Sequence, residues 1–299
     1  MRISLRQLQV FVAINETGST AAAAGRVFLS QSATSASLNE LENLLRIDLF
    51  DRVGKRLVLN DNGRTLLPQA RQMLDAAATM ERLFSAEDEA HAAGLHLGAS
   101  TTIGNYVLPR ILAKAAVQSA RGHPVVMIAN TLDIADAVVN FQLDMGLVEG
   151  PCHQADLHVE PWLRDELLIV ASPAHPLAGG AARGKLSASA LREAGWLLRE
   201  PGSGTREAVE HALLPHLHTL RPAGEFGNAE AIKHAAAAGM GVACLSRLVV
   251  QDLLSSGDLI ALRTNLPRLE RHFYLIHHKR KVLSARLQCF LQTCRTWPE

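Results

Sequence analysis

Aromatic residues are scarce, at 4% of 299 residues. The cores must therefore be aliphatic and alanine-rich, and at 48% hydrophobic residues there is enough material for them. Cysteine is also sparse. Cys152, Cys244, Cys289 and Cys294 show neither a CxxC pair nor zinc-ligand spacing. That excludes a recognisable metal site and points to reduced thiols in the cytoplasm. No charge of one sign dominates, since Lys and Arg number 30 against 29 Asp and Glu. Any nucleic-acid surface must then be a local patch, not a global field. No apolar run approaches the ~20 residues needed to cross a bilayer, so no membrane partner is expected. The first residues, Met1 to Gln7, lack the apolar stretch of a secretory leader. The length suits roughly two domains of ordinary size.

The N-terminal residues are the most specific. Leu5, Leu8, Phe11 and Val12 share one face of a helix that stops near Gly18. Ser19 and Thr20 can cap a second helix through Ala21–Ala24 to Val27. Phe28 and Leu29 leave room only for a turn. A third helix then starts at Ser30, hydroxyl-rich in front and carrying Leu38, Leu41, Leu44 and Leu45 behind. Its small polar front can approach base edges and phosphates, and its leucines can bury the rear. Helix, short turn, helix is the helix-turn-helix arrangement. A short ribbon follows, turning at Gly54, with Arg52, Lys55 and Arg56 around its tip. A basic ribbon beside such a helix is a wing that grips phosphates or the minor groove. A generic three-helix module is the plainer alternative. Glu16, Glu40, Glu42, Asp48 and Asp51 nearly balance the local positive charge and must sit away from DNA if this surface binds it.

Residues 4–65 resemble the winged helix-turn-helix of LysR-type transcriptional regulators. The resemblance rests on Leu5-Arg6-Gln7-Leu8, Phe11, Gly18-Ser19, Ala21–Ala24, Leu29-Ser30-Gln31-Ser32-Ala33, Ser35, Leu41-Glu42, Leu49-Phe50-Asp51-Arg52 and Gly63. It implies that Gln31, Ser32 and Ser35 face bases or nearby phosphates, with Thr34 and Asn39 as weaker candidates. Arg52 and Arg56 would grip the backbone.

From Asp61, Leu66, Leu67, Ala70, Met73, Leu74, Ala77, Met80, Leu83 and Phe84 recur at spacings of 3 and 4. So long a seam needs a partner, either its own domain or a second copy, and a second copy is favoured because it suits a reader of two-fold symmetric sites. In the family resembled, this is the dimerisation linker helix. A hinge is expected over Glu87–Gly94. The expected division is a DNA-binding domain at 1–60, a linker helix and hinge at 61–91, and an effector-binding domain at 92–299.

Beyond residue 95 strands and helices alternate, which reads as α/β with parallel sheets in two lobes. Lobe I is expected at about 92–162 and 267–299, and lobe II at about 163–266. Ligands of such folds lie between the lobes at the carboxyl ends of strands. Two strand-to-helix junctions are chemically marked. Ser100, Thr101 and Thr102 place hydroxyls where a helix begins, a position that favours an anion. Arg199-Glu200-Pro201-Gly202-Ser203-Gly204-Thr205-Arg206 joins a flexible loop to cationic side chains, without the Gly-Lys-Ser/Thr ending of a nucleotide loop. Glu149 is a candidate pocket carboxylate that would suit a protonated oxyanion or a donor group. Cys152 reads best as a strand end at the cleft edge, since one Cys and His153 make a poor metal site.

The resemblance continues through Ser100–Tyr106, Val148–His153, Arg199–Arg206, Asn228–His234 and Cys244–Arg247. These segments look like the YeiE-type branch of the family, which is associated with sensing sulfite. The implied fold is a winged helix-turn-helix, a long linker helix and a two-lobed α/β effector domain of periplasmic-binding-protein type. The implied effector residues are Ser100, Thr101, Thr102, Glu149, Arg199, Gly202, Ser203, Thr205 and Asn228. The implied partners are double-stranded promoter DNA, a second copy forming a dimer and then a tetramer, and a small anion, sulfite first. Another sulfur oxyanion, a small carboxylate or a phosphorylated metabolite is the alternative effector, and no cofactor is expected. The segments Ala178–Lys185 and Pro215–Ala223 depart from the family in composition and are expected to be surface loops. A two-lobed transport protein fits the second half but not the first 87 residues. An enzyme would need a nucleophile, base and orienting group together, and none is visible.

Overall fold

The computed structural model describes residues 3–54, 56–84, 94–118, 123–150 and 152–298. Lys55, Pro151 and nearly all of the expected hinge, residues 87–93, lie outside them. Contacts group the chain into two compact units. One holds the N-terminal residues through Phe84 with 139–142 and 280–284, and the other holds the remaining residues from Gly94 onward.

The first unit opens with α1 (Leu5–Thr17), α2 (Thr20–Arg26) and α3 (Gln31–Leu45). Each start is capped as a hydroxyl residue should cap it: Ser4, Ser19 and Ser30 accept from the amides of Gln7, Ala22 and Ala33. Ser4 and Gln7 form a reciprocal capping box. Gly18 ends α1 at φ 72°, a left-handed conformation suited to glycine. The wing is the antiparallel pair β1 (Phe50–Val53) and β2 (Arg56–Leu59). Leu8, Phe11, Ile14, Leu38, Leu41 and Leu49 are buried together.

Helix α4 (Asp61–Phe84) continues from the wing. Of the two partners open to its seam, the first turns meet their own domain. Ala70 is buried in the N-terminal core, and Leu66, Leu67 and Leu74 pack against it. The front of the seam therefore serves its own module. Met73 and Met80 remain 41% and 57% exposed.

The second unit is organised on a nine-stranded sheet. Its elements are β3 (His96–Ser100), α5 (Thr101–Tyr106), α6 (Leu108–Gln118), β4 (Val125–Ala129), α7 (Thr131–Val139), β5 (Met145–Glu149) and β6 (Leu157–Ala171). These are followed by α8 (Pro176–Arg183), α9 (Ala188–Arg192), β7 (Gly195–Arg199), α10 (Gly204–Leu217), β8 (Arg221–Phe226), α11 (Ala229–Ala237) and β9 (Val242–Ser246). The chain ends with α12 (Arg247–Ser256), β10 (Ile260–Ala261), β11 (Leu269–His278) and α13 (Ala285–Arg295). The sheet order is β4-β3-β5-β11-β6-β9-β7-β8, with β10 paired to β6.

The expected all-parallel sheets are corrected to a mixed sheet. β3, β4 and β5 run parallel in one lobe, and β7, β8 and β9 in the other. β6 and β11 are antiparallel to each other and to their flanking strands β9 and β5. Two strands that run out and back between lobes must oppose each other. The lobe boundaries near 162 and 267 thus fall within β6 and just before β11. The first half of β6 was hidden by Pro161, which has no N–H for the ladder. Its pairing with β11 shifts register between His272 and Tyr274, opposite this proline. The two segments expected to be loops are also corrected. Residues 178–183 lie in α8, Pro215 lies inside α10, and 221–226 form β8.

Candidate DNA-reading face and effector cleft

The front of α3 presents Gln31 and Ser32 to solvent, with Ser35 half-buried and Asn39 exposed. Ser30 Oγ accepts from the Ala33 amide at 3.2 Å and lies 3.0 Å from Ser32 Oγ, so the hydroxyl pair is ordered at the helix start. Thr34 is a correction. It is fully buried and its hydroxyl donates to the Ser30 carbonyl at 3.0 Å. It braces the turn and cannot reach a base. Arg52 and Arg56 are exposed on the wing, where Arg52 sits opposite Leu57 and Arg56 opposite Val53. Ser35, Asn39 and Arg52 line a cleft of about 420 Å³ between α3 and the wing. Polar groups that face outward from a rigid helix are the requirement for reading a groove.

In the second unit most of the effector candidates converge, but not as an open cradle. Glu149, at the end of β5, is 1% exposed. Its Oε1 accepts from the Thr102 amide at 2.7 Å. Its Oε2 accepts from the Thr205 hydroxyl at 2.5 Å and lies 3.0 Å from Arg271 Nη1. The helix start expected to be open to an anion is therefore met by the chain's own carboxylate. Burial alone would raise this carboxyl, but Arg271, Thr205, Thr102 and Ser100 more than offset it and hold it below the ordinary range. Ser100 and Thr102 are buried around it.

Arg199 is corrected as a free cation. Its Nε and Nη2 donate to the two oxygens of Glu200 at 2.7 and 2.8 Å, a bidentate pair that neutralises it. Its Nη1 donates to Thr101 Oγ1 at 2.9 Å. Thr101 lies in one lobe and Arg199 in the other, so this bond ties the lobes, as Glu149–Thr205 does. Ser203 is buried and caps α10, accepting from the Arg206 amide at 3.4 Å. Gly202 turns at φ 84°, and its carbonyl accepts from the Leu132 amide at 3.1 Å across the lobes. Asn228 stands apart, exposed, with its Oδ1 capping α11 through the Ala231 amide at 2.7 Å.

Several residues of this cluster carry no assignment from the sequence. Arg271 donates from Nε to Asp165 Oδ2 at 2.7 Å and from Nη1 to Thr205 Oγ1 at 2.9 Å. Asp165 Oδ1 accepts from Ser246 at 2.6 Å. The available signal was phase. Leu269, Arg271, Phe273 and Leu275 alternate as the buried face of β11, so Arg271 is a charge at a core position. Tyr106, from one lobe, donates to Glu230 in the other and accepts from buried Lys233 at 3.2 Å, while Lys233 also pairs with Asp252 at 3.0 Å. Adjoining the cluster, Thr131, Cys152, Ser203, Arg206 and Glu207 help line a cleft of about 440 Å³. Burial and Glu207 push the Cys152 thiol up to about 11, which leaves it a poor nucleophile.

A winged helix-turn-helix followed by a two-lobed α/β domain with polar groups gathered between its lobes defines a ligand-responsive DNA-binding regulator. Residues 5–64 match the bacterial regulatory helix-turn-helix protein model of the lysR family, and residues 89–299 match the LysR substrate binding domain. The chain belongs to the LysR family of transcriptional regulators, which are not enzymes. It is 46% identical over 294 residues to an Escherichia coli K12 protein described as an uncharacterized HTH-type transcriptional regulator, YeiE, covering 98% of each chain. The regulatory domain of Synechocystis CcmR, solved in complex with 2-PG, is 30% identical, with TM-score 0.61 over 69% of this chain and all of that one. A full-length OxyR variant from Pseudomonas aeruginosa shares the fold with TM-score 0.76 at 22% identity, covering 99% of this chain and 96% of that one.

Proposed function

We propose that this regulator reads two-fold symmetric promoter DNA as a dimer and changes its reading when a small anion, sulfite first, enters the interlobe cleft. The observation that carries the effector reading is the Glu149 constellation. Donors from both lobes surround one carboxylate, and a carboxylate has the oxygen geometry of a small oxyanion. An oxyanion on Ser100, Thr101, Thr102, Ser203 and Thr205 would compete with Glu149 or share a proton with it. Either changes the Glu149–Thr205 tie and thus the balance between lobe arrangements. The sulfite assignment rests on the sequence resemblance of residues 100–106, 148–153 and 199–206. The likeness to CcmR, whose regulatory domain holds 2-PG, supports the second reading, in which the effector is a phosphorylated metabolite or small carboxylate.

Gln31, Ser32 and Ser35 are the base-facing set, and Arg52 and Arg56 hold phosphates. The exposed Met73 and Met80 of α4 support dimerisation through that helix, with a tetramer as the larger assembly. Among the described residues no helix is long and apolar enough to cross a membrane. A regulator acting on promoter DNA works in the cytoplasm. Calorimetry of the full chain with sulfite, sulfate, phosphate and small carboxylates tests the effector. Sulfite is expected to bind tightest, and preference for a carboxylate would overturn the assignment. Gel shifts with a two-fold symmetric promoter fragment test the DNA reading, and no binding under any effector condition would overturn it.

A further inference from the structure

Phe28 is 92% exposed, more than any other large apolar side chain among the described residues. It stands between α2 and α3 at φ 53°, in the left-handed region. The backbone there closes α2. Val27 is the C-cap, and the Leu29 amide donates to the Ala24 carbonyl at 3.0 Å, the long bond of a Schellman cap. That position asks for glycine, and a bulky residue at positive φ is an outlier. The turn itself is held by other groups. Arg6 Nη2 donates to the Val27 carbonyl at 2.6 Å, and Val27 and Leu29 lie against the N-terminal core. The phenyl ring therefore adds strain to the fold and contributes no burial in return.

The groups around the ring select its partner. Two residues on, Ser30 caps α3, whose front carries exposed Gln31 and Ser32. The charged side chains that share a cleft with Phe28 are Arg6, Arg26 and Glu16. Glu16 pairs with Arg26 at 2.5 Å and with Arg71 at 3.6 Å, so its charge is spent. Arg6 donates to Gln9 and to the Val27 carbonyl, and pairs with no carboxylate among the described residues. An apolar ring beside an uncompensated cation, at the start of a groove-reading helix, suits a DNA duplex better than an apolar protein face. The apolar landmark of the major groove is the thymine C5-methyl group, and phenylalanine is among the side chains that contact it.

Resting on the reading that α3 enters the major groove, we propose that Phe28 packs on a thymine methyl beside the bases read by Gln31. Thymine at that position is then a determinant of each half-site. No hydrogen bond is needed, because covering one methyl group with the ring supplies the discrimination. The strain at Phe28 holds an apolar side chain out in water until DNA covers it.

The test starts from duplexes that the full chain selects out of a random pool, with binding followed by fluorescence anisotropy. Selected half-sites should carry thymine at one fixed position beside the Gln31 bases. Deoxyuridine in its place removes only the methyl group and should weaken binding about fourfold, the worth of one buried methyl. Phe28→Ala should neither select thymine there nor respond to deoxyuridine. Phe28→Gly should match Phe28→Ala on DNA yet unfold at a higher urea concentration than the unaltered chain, since glycine adopts this φ freely. A Phe28→Ala chain that selects the same thymine and senses its methyl as before overturns the assignment. A Phe28→Gly chain that unfolds more readily than the unaltered one also overturns it, because the ring then serves the fold. Unchanged DNA binding by Phe28→Ala with an altered oligomeric state in light scattering gives the ring to a protein contact and overturns it as well. In each of these cases Gln31→Ala still losing base discrimination leaves the groove reading of α3 standing. If the unaltered chain selects no duplex, that reading falls and this proposal falls with it.

Discussion

The candidate DNA-reading face and the interlobe cleft use polar residues in opposite ways. On α3 and the wing, Gln31, Ser32, Arg52 and Arg56 point outward, and the apolar core beneath them is complete without them. In the cleft, Glu149, Asp165 and Arg271 point inward and are satisfied largely by one another, and Arg199 is satisfied by Glu200. The first arrangement is rigid scaffold plus open contacts. The second is a closed network of mutual contacts. Substitutions should therefore cost binding in the first region and stability in the second.

The sharpest test of that contrast is Arg271→Ala. It leaves two carboxylates buried and unpaired, which should cost about 3–5 kcal/mol in urea unfolding. Arg52→Ala, on the exposed wing, should stay within ~0.5 kcal/mol. Similar losses at the two arginines would erase the distinction. Next in size is Gly204→Ala. A Cβ there would collide with the Glu149 backbone carbonyl and meet the Thr131 hydroxyl. Backbone cannot yield as a flexible side chain does, so overpacking of about 1–3 kcal/mol is expected. An unchanged melting temperature would mean that the lobes do not approach as closely as Gly204 implies.

On the DNA side, Gln31→Ala should lose about 1–3 kcal/mol of discrimination between operator and altered sites, with unfolding little changed. Arg56→Ala should weaken binding to all sequences alike and reduce the salt slope by about 1. Competition gel shifts across salt concentrations separate the two. If Gln31→Ala weakens every sequence equally, the residue is not reading bases.

The smallest expected effect is in the pH profile. Glu149 is held below its ordinary value, so its contribution to stability is full above the ordinary carboxylate range and lost as pH falls through its lowered folded value. Asp165 is raised, so its contribution is full below its ordinary value and lost as pH rises through the raised one. Glu149→Gln should flatten the acid limb of a stability–pH curve, and Asp165→Asn should lift the neutral side. A single limb affected identically by both variants would show that the two carboxylates titrate as one group.

Much of the first unit was legible in the residues. Caps at Ser19 and Ser30 and the stop at Gly18 are local hydrogen-bond chemistry, and they fall where the side chains dictate, whereas the Ser4 cap carried no sequence assignment. Thr34 was the exception. Its hydroxyl looks available in a run of small polar residues, and only the packing of α3 shows it turned inward onto Ser30. In the cleft, Ser100, Thr102, Glu149 and Thr205 were found as separate marks on different segments. Their mutual engagement was not legible, because it depends on β5, α5 and α10 meeting across the lobes. Arg199 carried the right charge, but Glu200, its neighbour in the chain, consumes it.

The sequence by itself determined the class of protein and the bounds of α3, because caps, turns and helical periodicity act over a few residues. The tertiary structure decided which polar groups are free and which are spent. It built β6 through Pro161, filled the anion-favouring helix start with Glu149, and left one donor of Arg271 unmet among the described residues. Those outcomes depend on charges and backbones brought together from segments far apart in the chain, and no local pattern records such meetings.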